Sequence, residues 1–257
     1  MVALAAVLLC GGKGSRMIEG GVTTHKPLLE VGGVPSTRFV IEGLLRGGVD
    51  FSQYIVVVPP GREEEYNLAL DGLDCRIVTQ ENALGTGNAV YDCIEHLLSP
   101  IEHVYVSFGT QPLVRAETVE GSLSVHLAKD LGFTLATVIM DNPYAPLLRD
   151  EGGVVCGSVE THLEGAIMPE HGETNIGAYW VSRAALDGVL TGLHDELFQP
   201  NENRYATNSG ELGFPNEMVR GCLAEGFGVD GVPIAEEVEM MGIKTPETWA
   251  AIQAIVG

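Results

Sequence analysis

A glycine-rich loop near the N-terminus contains the first residues that could do chemistry. The stretch LLCGGKGSRM begins at Leu8 and includes Lys13 and Arg16, the only lysine and arginine among the first 25 residues. Its glycines are Gly11, Gly12 and Gly14. Glycines leave backbone N–H groups uncovered, and several such donors beside a cation can hold a phosphate group. The spacing matches neither the dinucleotide fingerprint nor the P-loop, so an ordinary turn between a strand and a helix is the alternative.

Two further loops could contribute to the same site. Lys26 stands in THKPLLEVGG, where the following proline and the glycine pair indicate a loop that delivers one lysine. Gln80 follows a predicted strand and opens QENALGTGNA, and its amide has the donors and the acceptor needed to read a base edge. Gly85 and Gly87 would let the backbone approach a planar ligand. Ligands of open α/β sheets bind at the carboxyl ends of the strands, where the Gln80 loop is expected to lie. As alternatives, Lys26 could be a solvated loop lysine, and Gln80 could serve only the loop backbone.

The charge balance argues against two classes of partner. With 35 acidic and 14 basic side chains, the formal net charge is −21, which disfavours binding to nucleic acid and to anionic membrane surfaces. No stretch approaches the roughly 18 apolar residues of a membrane span. The five cysteines are scattered and form no C-x-x-C pair, so we expect neither a disulfide framework nor a zinc cluster. We therefore expect a cytoplasmic protein with reduced thiols.

Apolar runs alternate with segments of helical periodicity along the chain. The predicted strands are 2–9, 53–60, 75–78, 103–114, 132–140, 174–182 and 228–233. The predicted helices are 37–47, 63–70, 87–98, 122–131, 183–193, 216–225 and 245–255. This alternation predicts an α/β fold in which a parallel sheet has helices on both faces. Residues 152–160 look like one arm of a hairpin, and the polar segment 194–215 is typical of a mobile excursion.

Several of these segments, in their order along the chain, resemble the sugar-1-phosphate nucleotidyltransferases. The chain is particularly similar to the small N-acetylglucosamine-1-phosphate uridylyltransferase domains and to related transferases that act on molybdopterin. The matching segments are LLCGGKGSRM, HKPLLEVGG, QENALGTGNA, FGTQPL, MDNPYAPLLRDEGG with SVE, ETNIGAYWVS and MGIKTPE. The resemblance implies a Rossmann-like α/β/α sandwich with a mostly parallel mixed sheet and a smaller sugar-binding β region. It also implies one domain with a nucleotide-binding part over about 1–115 and a sugar-phosphate-binding part over about 116–257.

The resemblance also assigns roles to residues that bind the nucleotide. Arg16 would stabilise charge on the transferred α-phosphate and on the leaving pyrophosphate, and Lys26 would neutralise the same phosphates from the other side. The loop that wraps the triphosphate would be formed by Gly11, Gly12, Gly14 and Ser15. The base would be held by Gln80, Gly85 and Thr86.

The second substrate is expected to be a sugar 1-phosphate. Glu160 and Asn175 would bind its sugar, although polar residues at strand ends are often only structural, and Thr110 and Lys244 are expected to line this part of the site. The implied reaction transfers a nucleotidyl group from a nucleoside triphosphate, and the resemblance of Gln80 with LGTG to the uridylyl enzymes favours UTP. The attacking phosphate is already an anion, so no histidine or cysteine is expected to act in catalysis.

Two positions depart from the family pattern at the implied Mg²⁺ site. Thr110 stands where the family normally has an aspartate, and Lys244 stands where it has an asparagine or aspartate. Mg²⁺ prefers carboxylate and carbonyl oxygens, and the charge of a lysine repels the ion. The sugar loop reads Tyr144-Ala145-Pro146 where Tyr-Gly-Arg is expected. Three outcomes stay open: Lys244 replaces the metal, Mg²⁺ arrives on the nucleotide, or the protein only binds a nucleotide or sugar phosphate as a regulator.

Overall fold

A computed structural model of the chain describes residues 2–12, 21–159 and 169–257. The strands are β1 (Leu4–Leu9), β2 (Glu30–Val31), β3 (Val34–Pro35), β4 (Gln53–Val58), β5 (Arg76–Thr79), β6 (His103–Phe108), β7 (Phe133–Asp141), β8 (Leu147–Arg149), β9 (Val155–Ser158), β10 (His171–Ser182), β11 (Phe198–Gln199), β12 (Arg204–Tyr205) and β13 (Val229–Pro233). The α-helices are α1 (Ser36–Arg46), α2 (Glu63–Ala69), α3 (Thr86–Tyr91), α4 (Ala116–Ala128), α5 (Arg183–Ala185), α6 (Thr191–Leu197), α7 (Pro215–Ala224) and α8 (Pro246–Val256). A π-helical turn, Leu186–Leu190, joins α5 to α6, and 3-10 turns cover Lys26–Leu28, Ile94–His96 and Glu237–Met240.

A seven-stranded sheet forms the centre of the molecule, in the order β13-β7-β10-β6-β1-β4-β5. β1 pairs in parallel with both β4 and β6, and β4 pairs in parallel with β5. At the other side of the sheet, β13 pairs in parallel with β7. Within the described residues, β10 is the one strand of this sheet that runs antiparallel to its neighbours, β6 and β7. The sheet is therefore mixed but mostly parallel, as expected from the sequence.

Helices cover both faces of the sheet, and β1 shows this most clearly. All six residues of β1 are buried, and alternate side chains pack into two separate apolar cores. One core lies under α3, α5, α6 and α7 and includes Ala5, Val7 and Leu9. The other lies under α1, α2 and α4 and includes Leu4, Ala6 and Leu8. A strand that is buried on both faces needs apolar residues at every position, which explains the continuous apolar run in the sequence.

Two predicted helices have different limits in the structure. The helix expected over 87–98 ends at Tyr91 and is followed by the 3-10 turn, whereas the helix expected over 122–131 begins at Ala116. The early start of α4 follows contacts made by Arg115, whose backbone N–H and Nε each donate to the Glu239 carboxylate at 2.9 Å. Such contacts between distant residues leave no local pattern in the sequence.

The segment 194–215, which the sequence describes as a mobile excursion, packs several of its side chains into the core. Tyr205, Leu212 and Phe214 in this segment are each 0% exposed. β11 and β12 pair antiparallel within it, and the His194 ring stacks on Tyr91 with 3.8 Å between their centroids. Apart from the alternation of Leu212 and Phe214, these apolar residues show no helical or strand periodicity, and the sequence did not predict the burial of the segment.

A smaller β region lies beside the main sheet. β8 and β9 pair antiparallel, which confirms the predicted hairpin arm, and Pro146 forms an isolated bridge to Thr174 of β10. All five cysteines are free thiols in the structure. Over the ranges described above, the structure contains no helix that is long and apolar enough to cross a membrane.

The partly buried His103, at the start of β6, contacts the fully buried His126 of α4. Nδ1 of His103 lies 2.9 Å from Nε2 of His126, and Nδ1 of His126 lies 2.8 Å from Oγ1 of Thr134. Burial lowers the pKa of His126 to about 3, and burial also lowers the pKa of His103. Both rings are therefore uncharged in the folded protein at neutral pH.

We expect this pair to make the protein less stable at mildly acidic pH. Because the folded-state pKa of His126 lies below its usual 6.5, the unfolded chain takes up the proton first. The stabilisation present above pH 6.5 is lost as the pH falls, by roughly 1 kcal/mol between pH 7.5 and pH 5.5 for His126 alone. Urea unfolding at these two pH values should show a smaller pH effect for His126→Gln than for the wild type. A control variant at an exposed histidine, His171→Gln, should keep the wild-type effect, and an unchanged pH effect in His126→Gln would contradict the assignment.

Candidate active site

The glycine loop and Gln80 meet at one edge of the sheet, where β1 and β5 end on either side of β4. A side chain at Gly11 would overlap Oε1 of Gln80, so only glycine fits there without a shift. Gln80 is 4% exposed, and its Nε2 donates to the carbonyl oxygen of Gly85 at 3.1 Å and to Oδ1 of Asn88 at 2.9 Å. Gln80 thus supports the loop backbone, and it also lines a cavity of about 550 Å³ beside Gly11 and Gly12. Its contact with a base stays a prediction.

The turn that carries Lys26 is fixed by the start of α1. Oγ1 of Thr37 donates to the carbonyl oxygen of Pro27 at 2.9 Å. Oγ of the neighbouring Ser36 donates to the carbonyl oxygen of Gly109 at 2.8 Å. These two bonds attach the lysine turn to the end of β6, where Thr110 follows. These bonds therefore fix the position of the turn from which the Lys26 side chain extends.

His25 connects the lysine turn to the glycine loop, a contact that the sequence interpretation missed. Its Nε2 lies 2.9 Å from the carbonyl oxygen of Gly12, and its Nδ1 lies 2.9 Å from the hydroxyl of Tyr66. Burial lowers the pKa of His25, so the ring is neutral at neutral pH. A carbonyl can only accept, so Nε2 donates to Gly12 and Nδ1 accepts from Tyr66. These two contacts let His25 shape the predicted phosphate loop.

Thr110 and Lys244 come together although they are far apart in the sequence. The backbone N–H of Ile243 donates to the carbonyl oxygen of Thr110 at 2.9 Å, which places the two segments side by side. Nζ of Lys244 lies over the Tyr144 ring, 5.5 Å from its centroid, in cation–π contact. Both Thr110 and Lys244 line a cavity of about 890 Å³. The two positions that depart from the family pattern therefore belong to one site.

Asn175 lies where the pairing of β10 is irregular, and it lines the same cavity. The pairing of β10 with β7 changes register between Asn175 and Tyr179, and Gly177 has a φ of +86°. The Tyr179 hydroxyl donates to Oδ1 of Asn175 at 2.8 Å. Nε2 of Gln111 donates to the carbonyl oxygen of Ile176 at 2.6 Å, and this bond supports the bulge from the end of β6. Sequence patterns do not predict a bulge of this kind.

The predicted residues line a cleft made of two adjoining cavities. The cavity of about 550 Å³ contains the glycine loop, and the cavity of about 890 Å³ contains Asn175 and Lys244. Their linings share Lys26, Thr86, Phe108, Thr110, Ser209, Glu211 and Gly213. Arg220 also lines the larger cavity and pairs with Glu217 at 2.7 Å. Four further predicted residues, Gly14, Ser15, Arg16 and Glu160, lie outside the described residues.

The segment 207–213 forms a wall of this cleft, which the sequence interpretation did not foresee. The N–H of Leu212 donates to the carbonyl of Leu84 at 2.8 Å, and the N–H of Gly87 donates to the carbonyl of Leu212 at 2.8 Å. The N–H of Phe214 donates to Oγ1 of Thr86 at 3.0 Å. Thr86 therefore supports this wall in addition to its predicted role with the base. The alternating leucine and phenylalanine at 212 and 214 were the only available signal.

The donors at Thr110 and Lys244 do not fit a Mg²⁺ ion. One offers a hydroxyl and the other a positive charge, whereas the ion prefers carboxylate oxygens. Outside the stretches 13–20 and 160–168 and the first residue, no three His, Cys, Asp or Glu side chains are grouped so that they could hold a metal.

Gly85 should be one of the least replaceable residues of the cleft. Its φ is +100°, and a side chain there would overlap the backbone carbonyl of Leu212. We expect Gly85→Ala to lower the free energy of unfolding by about 2–4 kcal/mol, from overpacking plus backbone strain. Gly61→Ala is the matched control, because Gly61 has a φ of +79° but open space around it, and it should lose only about 1 kcal/mol. Urea unfolding of both variants checks this, and equal losses would show that the contact with Leu212 is unimportant.

Comparison with known proteins places the chain among nucleotidyltransferases. Residues 6–148 match the family of MobA-like NTP transferase domains. The bifunctional protein GlmU of Geotalea daltonii is 28% identical over 245 residues, which cover 95% of this chain and 50% of that protein. GlmU of Nitratidesulfovibrio vulgaris is 28% identical over 253 residues, which cover 98% of this chain and 52% of that protein. The chain thus spans about half the length of these curated relatives.

The fold agrees with this result. A solved structure of a Bacillus anthracis protein assigned the name glucose-1-phosphate thymidylyltransferase matches with a TM-score of 0.75 and 15% identity, over 99% of this chain and 95% of that chain. At this identity the likeness concerns the fold alone, and it confirms the Rossmann-like α/β arrangement with a mostly parallel mixed sheet. The family match at residues 6–148 extends over more than half of the sequence, so this protein belongs to the MobA-like NTP transferase domain family.

Proposed function

We propose that this protein transfers a nucleotidyl group from a nucleoside triphosphate to a sugar 1-phosphate, which yields a nucleotide sugar and pyrophosphate. UTP is the triphosphate we favour, because Gln80 and the LGTG sequence that follows it resemble those of uridylyl enzymes. In this proposal the part of the chain up to about residue 115 binds the nucleotide, and about 116–257 binds the sugar phosphate. Family membership supports the reaction type but not the choice of substrates.

The position of Lys26 is the observation that carries this proposal. Lys26 lines both cavities of the cleft, at the junction where Thr110 also lies. A triphosphate held at the glycine loop and a sugar phosphate held near Asn175 would bring their phosphates together at this junction. A fixed cation there can attract both anions and stabilise the charge that develops during transfer. The net charge of −21 would otherwise repel such substrates.

The proposed step is an in-line displacement at phosphorus. A phosphate oxygen of the sugar 1-phosphate attacks the α-phosphorus of the triphosphate, and the bond from that phosphorus to the bridging oxygen breaks. Pyrophosphate leaves with the bonding electrons, and no proton has to be removed from the attacking oxygen. Catalysis of this kind depends on positioning and on cationic groups. Lys26 and Lys244, which line the same cavity, would supply positive charge.

Pyrophosphate release tests the proposal directly. The protein is incubated with each of the four common nucleoside triphosphates, a panel of sugar 1-phosphates and Mg²⁺, with the sugar phosphate omitted in control reactions. We expect release that requires both substrates and is fastest with UTP. Release that needs no sugar phosphate, or no release with any pair, would contradict the proposed transfer. A preference for another triphosphate would contradict only the choice of UTP.

A second candidate function follows from Thr110 and Lys244. Without donors suited to a metal at these positions, the cleft could bind a nucleotide or a sugar phosphate without transferring anything, and the protein would act as a regulator. This candidate predicts clear calorimetric binding of a nucleotide together with no pyrophosphate release. It is less favoured because Lys26, Gln80 and the glycine loop are all retained in the sequence.

A further inference from the structure

His25 connects two segments that line the smaller cavity of the cleft. Its Nε2 lies 2.9 Å from the carbonyl oxygen of Gly12. Its own carbonyl oxygen accepts a hydrogen bond from the backbone N–H of Leu28 at 2.8 Å, where the 3-10 turn that carries Lys26 begins. Gly12 and Lys26 both line this cavity, whereas His25 is 7% exposed and lines neither cavity of the cleft. The histidine thus lies behind the site, between the glycine loop and the lysine turn.

The hydrogen bond to His25 sets the direction of the Gly12 carbonyl. This oxygen carries a partial negative charge, so it would repel a phosphate group if it turned into the cavity. Gly12 has no Cβ, and apart from its chain neighbours no described residue comes within 4 Å of the place where one would stand. A glycine in open space can rotate at low cost. The bond from the buried imidazole therefore keeps the oxygen directed into the protein and away from the cavity.

Tyr66 of α2 determines which nitrogen of His25 carries the proton. Tyr66 is 0% exposed, and burial raises the pKa of its hydroxyl, which keeps its proton and donates to Nδ1 of His25 at 2.9 Å. Burial lowers the pKa of His25, so the ring is neutral and has a single N–H. Because Nδ1 accepts from Tyr66, this N–H is at Nε2, on the side of Gly12.

We propose that His25 is a positioning residue of the cleft, which in its Nε2–H form holds the glycine loop in the arrangement that accepts the phosphates of a nucleoside triphosphate. Tyr66 acts through His25 by maintaining this form. Neither side chain lines the cleft. This role rests on the proposed function in one respect, since a triphosphate has to occupy the cavity beside Gly12, but it does not require that a nucleotidyl group is transferred.

His25→Gln and His25→Asn separate the two hydrogen bonds of the ring. The amide nitrogen of glutamine can take the position of Nε2 and donate to Gly12, whereas the shorter asparagine reaches only the position of Nδ1, beside Tyr66. Both variants lose the ring, so each is the control for the other. Calorimetry measures the Kd of the common triphosphate that the wild type binds most tightly, which we expect to be UTP. This Kd should rise about tenfold or more in His25→Asn and about threefold or less in His25→Gln.

The kinetic constants distinguish positioning from a general loss of structure. A loop that the triphosphate itself has to order lowers the apparent affinity without slowing the bound complex. In His25→Asn the KM for the triphosphate should therefore rise about tenfold, while kcat and the KM for the sugar 1-phosphate stay within about twofold of the wild type. Thermal unfolding checks that both variants fold.

Tyr66→Phe tests the form of the ring and keeps the imidazole in place. Nitrogen NMR of the wild type at neutral pH should show a protonated Nε2 and an unprotonated Nδ1 in His25. Tyr66→Phe should raise the Kd of the triphosphate about two- to tenfold, the usual range for one neutral hydrogen bond. Tyr54→Phe is the matched control and should bind as the wild type does, because Tyr54 is also buried but lies near the start of β4 and lines neither cavity of the cleft.

The outcomes separate the positioning role of His25 from the proposed transfer. Equal Kd values in His25→Gln and His25→Asn, an unchanged Kd in Tyr66→Phe, or a proton on Nδ1 in the wild type would each overturn the positioning role, even if pyrophosphate is released as proposed. If the Kd values follow the expected order but no sugar 1-phosphate supports pyrophosphate release, the positioning role stands and the transfer fails. A wild type that binds none of the common triphosphates overturns both.

Discussion

Lys26→Ala should lower kcat/KM for nucleotidyl transfer by about a hundredfold to a thousandfold, the range found when one preorganised group that stabilises developing charge is removed. Lys26 lines both cavities, and its turn is anchored by Thr37 and Ser36 through the backbone of neighbouring residues. Truncation of its side chain therefore removes the charge while those anchors remain. Pyrophosphate release with the best substrate pair measures the loss, and thermal unfolding checks that the variant is folded.

Lys129→Ala is the matched control for this experiment. Lys129 follows α4 and pairs with Asp230 at 2.6 Å, and its side chain is 58% exposed. Lys129→Ala removes one positive charge, as Lys26→Ala does, but at a position outside the lining of the cleft. An exposed ion pair contributes about 0–1 kcal/mol to stability. We expect its activity to stay within about twofold of the wild type. Equal activities in the two variants would show that Lys26 has no specific role in catalysis.

The second large effect concerns metal dependence. Thr110→Asp combined with Lys244→Asn restores the two residue types that the resemblance implies for a Mg²⁺ site. The hydrogen bond from Ile243 to Thr110 places these positions side by side, so the new donors would face the same point of the cleft. If Lys244 replaces the ion in the natural protein, the double variant should need Mg²⁺ and lose about tenfold or more of its rate when the ion is chelated. The wild type should lose about twofold or less under the same hypothesis.

The measurement is a titration of the rate against free Mg²⁺ for both proteins. The single variant Lys244→Asn is the informative control, because it removes the lysine charge without adding the carboxylate, and it should be slow at every Mg²⁺ concentration. Identical titrations for the wild type and the double variant would show that Lys244 does not stand in for the ion. The outcome would then favour an ion that arrives bound to the nucleotide's own phosphates.

The elements of the fold could be predicted where burial is continuous. β1 and β4 are apolar at nearly every position because helices cover both faces, and such runs bounded by glycine or proline are recognisable. The antiparallel direction of β10 could not be deduced, since a buried strand has the same composition in either direction. The order of the strands also depends on contacts between distant segments, which composition does not contain.

Individual site residues were predicted, but the contacts that hold them were not. Lys26 could be selected from a loop marked by a proline and a glycine pair, and Gln80 from a loop that follows a predicted strand. The structure places both residues in the lining of the cleft. The bond between His25 and Gly12 and the wall around Leu212 each join segments whose relation appears only after folding. The predicted contacts of Gly14, Ser15, Arg16 and Glu160 lie outside the described residues.

The pairing of Leu84 and Gly87 with Leu212 has a consequence for attempts to dissect the protein. An expression product that ended near residue 115 would retain the glycine loop, Lys26 and Gln80, yet Leu84 and Gly87 would lose their backbone partners. It would also expose the edge of β6 that β10 normally covers. Exposed edges of this kind promote aggregation between chains. The part that we propose to bind the nucleotide therefore has to be studied within the whole chain, even when only nucleotide binding is of interest.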